Sequence, residues 1–142
     1  MSSAMDSQLK SIWSSIFSRK GTASSSTKLW EDWDEDRRHR LSDVVLQKEL
    51  PVLLSFSEPE NVVLLTTQRL VVGNRSVDVK DIVDVIPAEF STREKASLKE
   101  LDIVVNTKEK FRVPLESGSA YFGIWSVLLH IARSNGAKTK TQ

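Results

Sequence analysis

The chain has 142 residues, 39% of them hydrophobic, which suffices for one domain with its own core. Its 20 Lys and Arg against 19 Asp and Glu leave a net charge of +1, which gives no support to a generally basic nucleic-acid binder. With no Cys and only two His, disulfide frameworks, zinc-thiolate and iron–sulfur sites and thiol nucleophiles are excluded, and no metal or cofactor is expected.

The charge is uneven along the chain. Residues 1–28 carry Lys10, Arg19, Lys20 and Lys28 against Asp6 alone, and Lys138 and Lys140 lie near the other end, so the ends are basic and the body acidic. No run approaches the roughly 18 consecutive apolar residues of a membrane span. Ser14 and Ser15 interrupt the first apolar stretch, unlike the continuous core of a secretory signal, and a cytoplasmic location is expected.

From the start of the chain, Leu9, Ile12, Trp13, Ile16 and Phe17 recur at i, i+3, i+4, i+7 and i+8, with Ser11, Ser14, Ser15 and Ser18 opposite them. That spacing predicts an amphipathic helix. The following Gly21 to Thr27 has no large apolar side chain and reads as a linker, so residues 1–27 form a flexible, Ser-rich segment carrying one helix. Residues 28–49 read as a helical extension in two pieces. Trp30 and Trp33 share a face, Asp34 and Asp36 stand four residues before Arg38 and Arg40, and Ser42 can cap the second piece with Leu41 and Leu46 as its staple.

Pro51 ends the helical register, and the period then shortens to that of strands over 52–56, 62–66, 70–73, 77–79, 82–86, 98–105 and 111–115. The links are too short for parallel crossovers, so the seven strands form an antiparallel meander. From Tyr121 the 3.6-residue period returns, with Phe122, Ile124, Trp125, Val127, Leu128, Leu129, Ile131 and Ala132 on a broad apolar face. Gly123, Ser126, His130 and Arg133 fall on the opposite, wet arc, and Asn135-Gly136 can close this last helix. The domain is therefore expected to span 50–136, followed by a disordered basic tail over 137–142.

Val62-Val63-Leu64-Leu65-Thr66-Thr67-Gln68-Arg69-Leu70-Val71-Val72 resembles the "hydrophobic strand, Leu-Thr-x-x-Arg-Leu, hydrophobic strand" hairpin of GRAM and bacterial PH-like domains. The order of seven strands and one C-terminal helix is likewise similar to the pleckstrin-homology superfold. The resemblance covers roughly residues 50–136 and implies an α+β fold, a small antiparallel barrel of about seven strands capped by the C-terminal helix. The N-terminal helical extension lies outside it.

Lipid-headgroup recognition in that superfold calls for cations on the first hairpin, whereas the loop here is Ser57-Glu58-Pro59-Glu60, which repels an anion. Lys80, Arg93 or Lys95 would have to supply the charge instead. His39 sits in the charge run 31–40 and His130 on a wet arc, without a carboxylate or nucleophile at motif spacing, so catalysis is not expected. The candidate site residues are Trp30 and Trp33, as a partner-binding anchor or as packing, and the Leu9, Ile12, Trp13, Ile16 and Phe17 face, as a docking or membrane surface. Few cations flank that face, so only weak membrane contact is expected, and an organelle presequence would carry more Arg. A non-catalytic protein-interaction module, adaptor or regulatory, with a protein partner is the expected function. The alternatives are a peripheral membrane adaptor anchored by the N-terminal helix and an inhibitor or immunity-type protein covering a partner's active site.

Overall fold

Strand-forming residues crowd the middle of the chain and helix-forming ones its two ends, and the fold follows that division. The computed structural model describes residues 4–21, 26–43, 45, 49–57, 61–87, 100–115 and 119–140. Helix α1 (Ala4–Lys20) is followed by strand β1 (Thr27–Leu29), a single 3₁₀ turn and α2 (Glu35–Leu41). Strands β2 (Pro51–Ser57), β3 (Asn61–Thr66), β4 (Arg69–Val72), β5 (Arg75–Asp78), β6 (Ile82–Pro87), β7 (Glu100–Val105) and β8 (Lys110–Pro114) precede helix α3 (Ser119–Lys140). The fold is α+β, and each of the seven expected strands is present to within two residues at either end.

All pairings are antiparallel, as the short links require, in the orders β1-β2-β3-β4-β5 and β6-β7-β8. The expected single barrel is corrected here: the strands form two open sheets, and the barrel does not close. The stretch 28–49 is helical only in part. It begins inside β1, which the periodicity did not signal, and Thr27 to Leu29 pair with Ser55 to Leu53. Residues 22–25 of the linker, Leu46, the loop residues 58–60, Arg93, Lys95 and residues 141–142 lie outside the described residues.

The five-stranded sheet is covered on both faces. Leu53, Val63, Leu65 and Leu70 enter the main core with α1, α3 and the second sheet, while Leu54, Leu64 and Val71 enter a smaller cluster under Trp33. Consecutive buried residues such as Val63-Leu64-Leu65 are what a strand needs when neither face meets water, which explains why β3 reads as an unbroken apolar run. The three-stranded sheet, covered on one side, alternates: Leu101, Ile103, Val105 and Val113 point inward. On its outer side the Arg112 guanidinium donates a fork to Asp102 at 2.8 and 3.2 Å.

The turns explain themselves locally. Gly73 has φ +60°, as the first central residue of a two-residue type II′ hairpin between β4 and β5 requires. In the Leu-Thr-x-x-Arg-Leu hairpin, the Thr66 hydroxyl accepts from the amides of Gln68 (3.1 Å) and Arg69 (2.9 Å), and the Thr67 hydroxyl accepts from Leu50 N–H (3.0 Å). Arg69 donates twice to the buried Glu49, at 3.0 and 2.8 Å. These motif residues are therefore the hairpin's own fastenings.

Helix α3 packs against β6 and α1. Tyr121 Oη donates to Glu100 O (2.8 Å) near its start, and Asn135 Nδ2 lies 2.8 Å from Val79 O and 2.7 Å from Ile82 O near its end. Asn135 and Gly136, expected to stop the helix, lie within it. Trp125, expected in the core, is half-buried at its margin beside Tyr121 and Phe122.

Candidate functional site

The apolar face of α1 is turned into the protein. Trp13, Ile16 and Phe17 are buried in the main core, Leu9 is half-buried against it, and Ile12 stays 39% exposed. The helix lies along α3 where Gly123, expected on a wet arc, offers hydrogen in place of a side chain. A Cβ built there would stand 2.8 Å from Phe17 Cδ1. The helix is also tied at its start, where the buried Asp6 accepts from Gln68 Nε2 (2.8 Å), and Lys10 pairs with Glu31.

The two candidate tryptophans part company. Trp33 is buried, its indole N–H donates to Leu54 O (3.0 Å), and the charges of Lys28 and Arg37 lie 4.8 and 5.4 Å from its ring centre. Arg37 also stacks on Phe56 at 4.0 Å. Trp30 is half-buried at the rim of the same cluster. Asp34, expected to pair with Arg38, instead caps α2 by accepting from Arg37 N–H (2.7 Å), while the expected Asp36–Arg40 pair is present at 3.1 Å on the open surface. Together these groups fasten the 27–41 segment over the outer face of the sheet.

A cleft opens elsewhere, between the two sheets. Strands β5 and β8 are the edges of their respective sheets, and the cleft between them has a volume of about 300 Å³. Asp78, Asp81 and Glu109 line it with Ser76, Asn106 and Thr107, and among the described residues no Lys or Arg does. At one end the Arg75 guanidinium lies 4.3 Å from the Phe111 ring centre, joining the two edges. Asp81 helps to hold the β7–β8 turn, accepting from Asn106 Nδ2 at 3.3 Å, while its carbonyl accepts from Asn106 N–H at 2.9 Å. Asp78 pairs across the ladder with Arg69, whose pKa is raised chiefly by its hydrogen bonds to Glu49, against the opposing effect of burial.

The chemical capacity of this cleft is electrostatic and hydrogen-bonding. Edge strands offer free backbone donors and acceptors, and three carboxylates favour cationic side chains. Among the described residues no group of His, Asp and Glu is placed to hold a metal ion. His39 and His130 are both exposed and neither lines the cleft. No helix of the described residues is long and apolar enough to cross a membrane.

Sequence reasoning missed the cleft. Its carboxylates lie beside turns, where acidic residues are ordinary, and nothing local to residues 76–81 or 106–109 says that the two segments face each other. Comparison with protein-family models, with curated proteins and with solved structures finds no match.

Proposed function

We propose that the chain is a non-catalytic protein-interaction module of PH-like architecture, working in the cytoplasm. It binds an extended, basic segment of a protein partner along the cleft between β5 and β8. What supports the architecture is the order of antiparallel strands followed by a C-terminal helix, with the two sheets open rather than closed. What carries the function is one observation: two edge strands flank a cleft whose charged lining, among the described residues, is acidic. An added strand gains main-chain hydrogen bonds from an edge, and Lys or Arg at alternate positions meets the carboxylates. The membrane-anchor alternative requires α1 to leave the core, at a cost of roughly 1.5–3 kcal/mol for each buried side chain withdrawn.

The test is a titration of the isotopically labelled protein, followed by amide shifts, with extended peptides alternating Lys and Val and with matched peptides alternating Glu and Val. The basic peptide should move the amides of residues 75–78 and 106–112, weaken with salt, and lose most of its affinity to Asp78→Asn/Glu109→Gln. Equal response to both peptides, or shifts confined to other strands, would overturn the reading.

A further inference from the structure

A second groove has the opposite charge. It runs between the last turns of α1 and the middle of α3, with a volume of about 420 Å³. Ile16 and Leu129 form its apolar floor, and Arg19, Lys20, His130 and Arg133 stand around it, with no Asp or Glu in its lining among the described residues. Several cations elsewhere on the protein have carboxylate partners, Lys10 with Glu31, Arg40 with Asp36, Arg69 with Glu49, and Arg112 with Asp102 and Glu100, and others lie against aromatic rings, Lys28 and Arg37 on Trp33 and Arg75 on Phe111. Among the described residues Arg19, Lys20 and Arg133 have no carboxylate partner, and the Arg19 side chain makes only a 3.4 Å bond to Ser15 O.

The α1 helix end accounts for part of this. Arg19 and Lys20 complement the partial negative charge of the last turn. That charge is about half an elementary unit and does not call for Arg133 and His130, which belong to another helix and face the same groove. Convergent, unpaired cations repel one another unless an anion joins them. Two guanidiniums can each fork onto oxygens of a phosphate, an ammonium adds a point charge, and the Ser126 hydroxyl and His130 imidazole add hydrogen bonds. The volume falls in the range of small-molecule sites, and the floor suits an apolar portion attached to the anion.

We infer that the groove between α1 and α3 binds a multiply charged phosphate group, held by Arg19, Lys20 and Arg133. The groove exists only while α1 is docked, so phosphate binding holds α1 in place.

The full chain is titrated calorimetrically with inorganic pyrophosphate and, separately, mixed with phosphatidylcholine vesicles with and without a phosphorylated inositol lipid. Pyrophosphate should bind and raise the thermal midpoint. Arg19→Gln and Arg133→Gln, both exposed and so harmless to folding, should each weaken binding about tenfold, one charge-assisted bond being worth upwards of 1.4 kcal/mol. Lys110→Gln, the same charge change on β8, should leave it unaltered. Vesicle binding that pyrophosphate competes away identifies a lipid headgroup as the source; pyrophosphate binding without vesicle binding identifies a soluble phosphate. The proposal is overturned if neither probe binds, or if binding is indifferent to Arg19→Gln and Arg133→Gln or is equally weakened by Lys110→Gln.

Discussion

Adding one methyl group at Gly123 is a direct probe of how α1 is seated. The new Cβ would lie 2.8 and 2.9 Å from Phe17 Cδ1 and Cε1, and 3.3 Å from Gly21 Cα. Carbon atoms are in best contact at about 3.5–4.0 Å, so the overlap with the ring is substantial. Phe17 is only 2% exposed, and its ring has little room to yield. Overpacking of this kind costs typically about 1–3 kcal/mol. Against it stands the helix-propensity gain of Ala over Gly, about 0.8–1.0 kcal/mol in a helix interior. The balance is a net loss of roughly 1 kcal/mol. In a Phe17→Leu background, where no ring meets the new methyl, the same substitution should stabilise by up to about 1 kcal/mol. The sign of the Gly123→Ala effect therefore reverses, a coupling of about 2 kcal/mol between residues in contact. Urea unfolding of the four proteins in this cycle gives the midpoints, with an unchanged slope confirming that the same surface is exposed in each. If Gly123→Ala stabilises both backgrounds equally, α1 does not lie on α3 and the docked reading of its apolar face fails.

Glu49→Gln should destabilise by about 3 kcal/mol in chemical unfolding, because it removes the buried carboxylate charge that faces the Arg69 guanidinium, 19% exposed; Glu49→Leu with Arg69→Met should recover most of the loss. Bonding to Glu49 raises the folded-state pKa of Arg69 above its unfolded value, so this contribution is complete below the unfolded value and fades only as pH rises through the folded one. Unfolding midpoints should accordingly show no Arg69-linked decline from neutral to moderately alkaline pH. Tyr121→Phe keeps the buried ring but removes the 2.8 Å bond to Glu100 O, and should lower stability by about 1 kcal/mol in thermal unfolding. Trp33→Phe leaves the buried Leu54 carbonyl without the indole donor and should cost about 1–3 kcal/mol, whereas a partner-binding role alone would leave the midpoint unmoved.

The elements themselves were legible because their signals are local. Phe111, Val113 and Leu115 alternate with Arg112 and Pro114, and Leu9, Ile12, Trp13, Ile16 and Phe17 repeat at helical spacing, so each segment announces its type and one buried face. Gly73-Asn74 marks a hairpin by the backbone freedom of a single residue. What covers a face is not a local property. The run Val62 to Leu65 reads as a strand, but only the packing of Trp33 from the 27–41 segment explains why both of its sides are apolar. Strand β1 has three residues, too few for a period, and exists because β2 offers it an edge.

Gly123 shows the division most plainly. By angle it belongs to the wet arc of α3, and an absent side chain carries no hydrophobic signal, yet it is buried because another helix needs the space. Composition and periodicity determined that this chain would make antiparallel strands between two amphipathic helices. The tertiary structure alone decided that the sheets stay open, that Asp78 and Asp81 meet Glu109 across the gap, and that cations from α1 and α3 share a groove. Both charged surfaces are assembled from residues far apart in the chain. A pattern with a period of two or 3.6 residues records which side of an element is buried and holds no information about which distant charge will stand beside it.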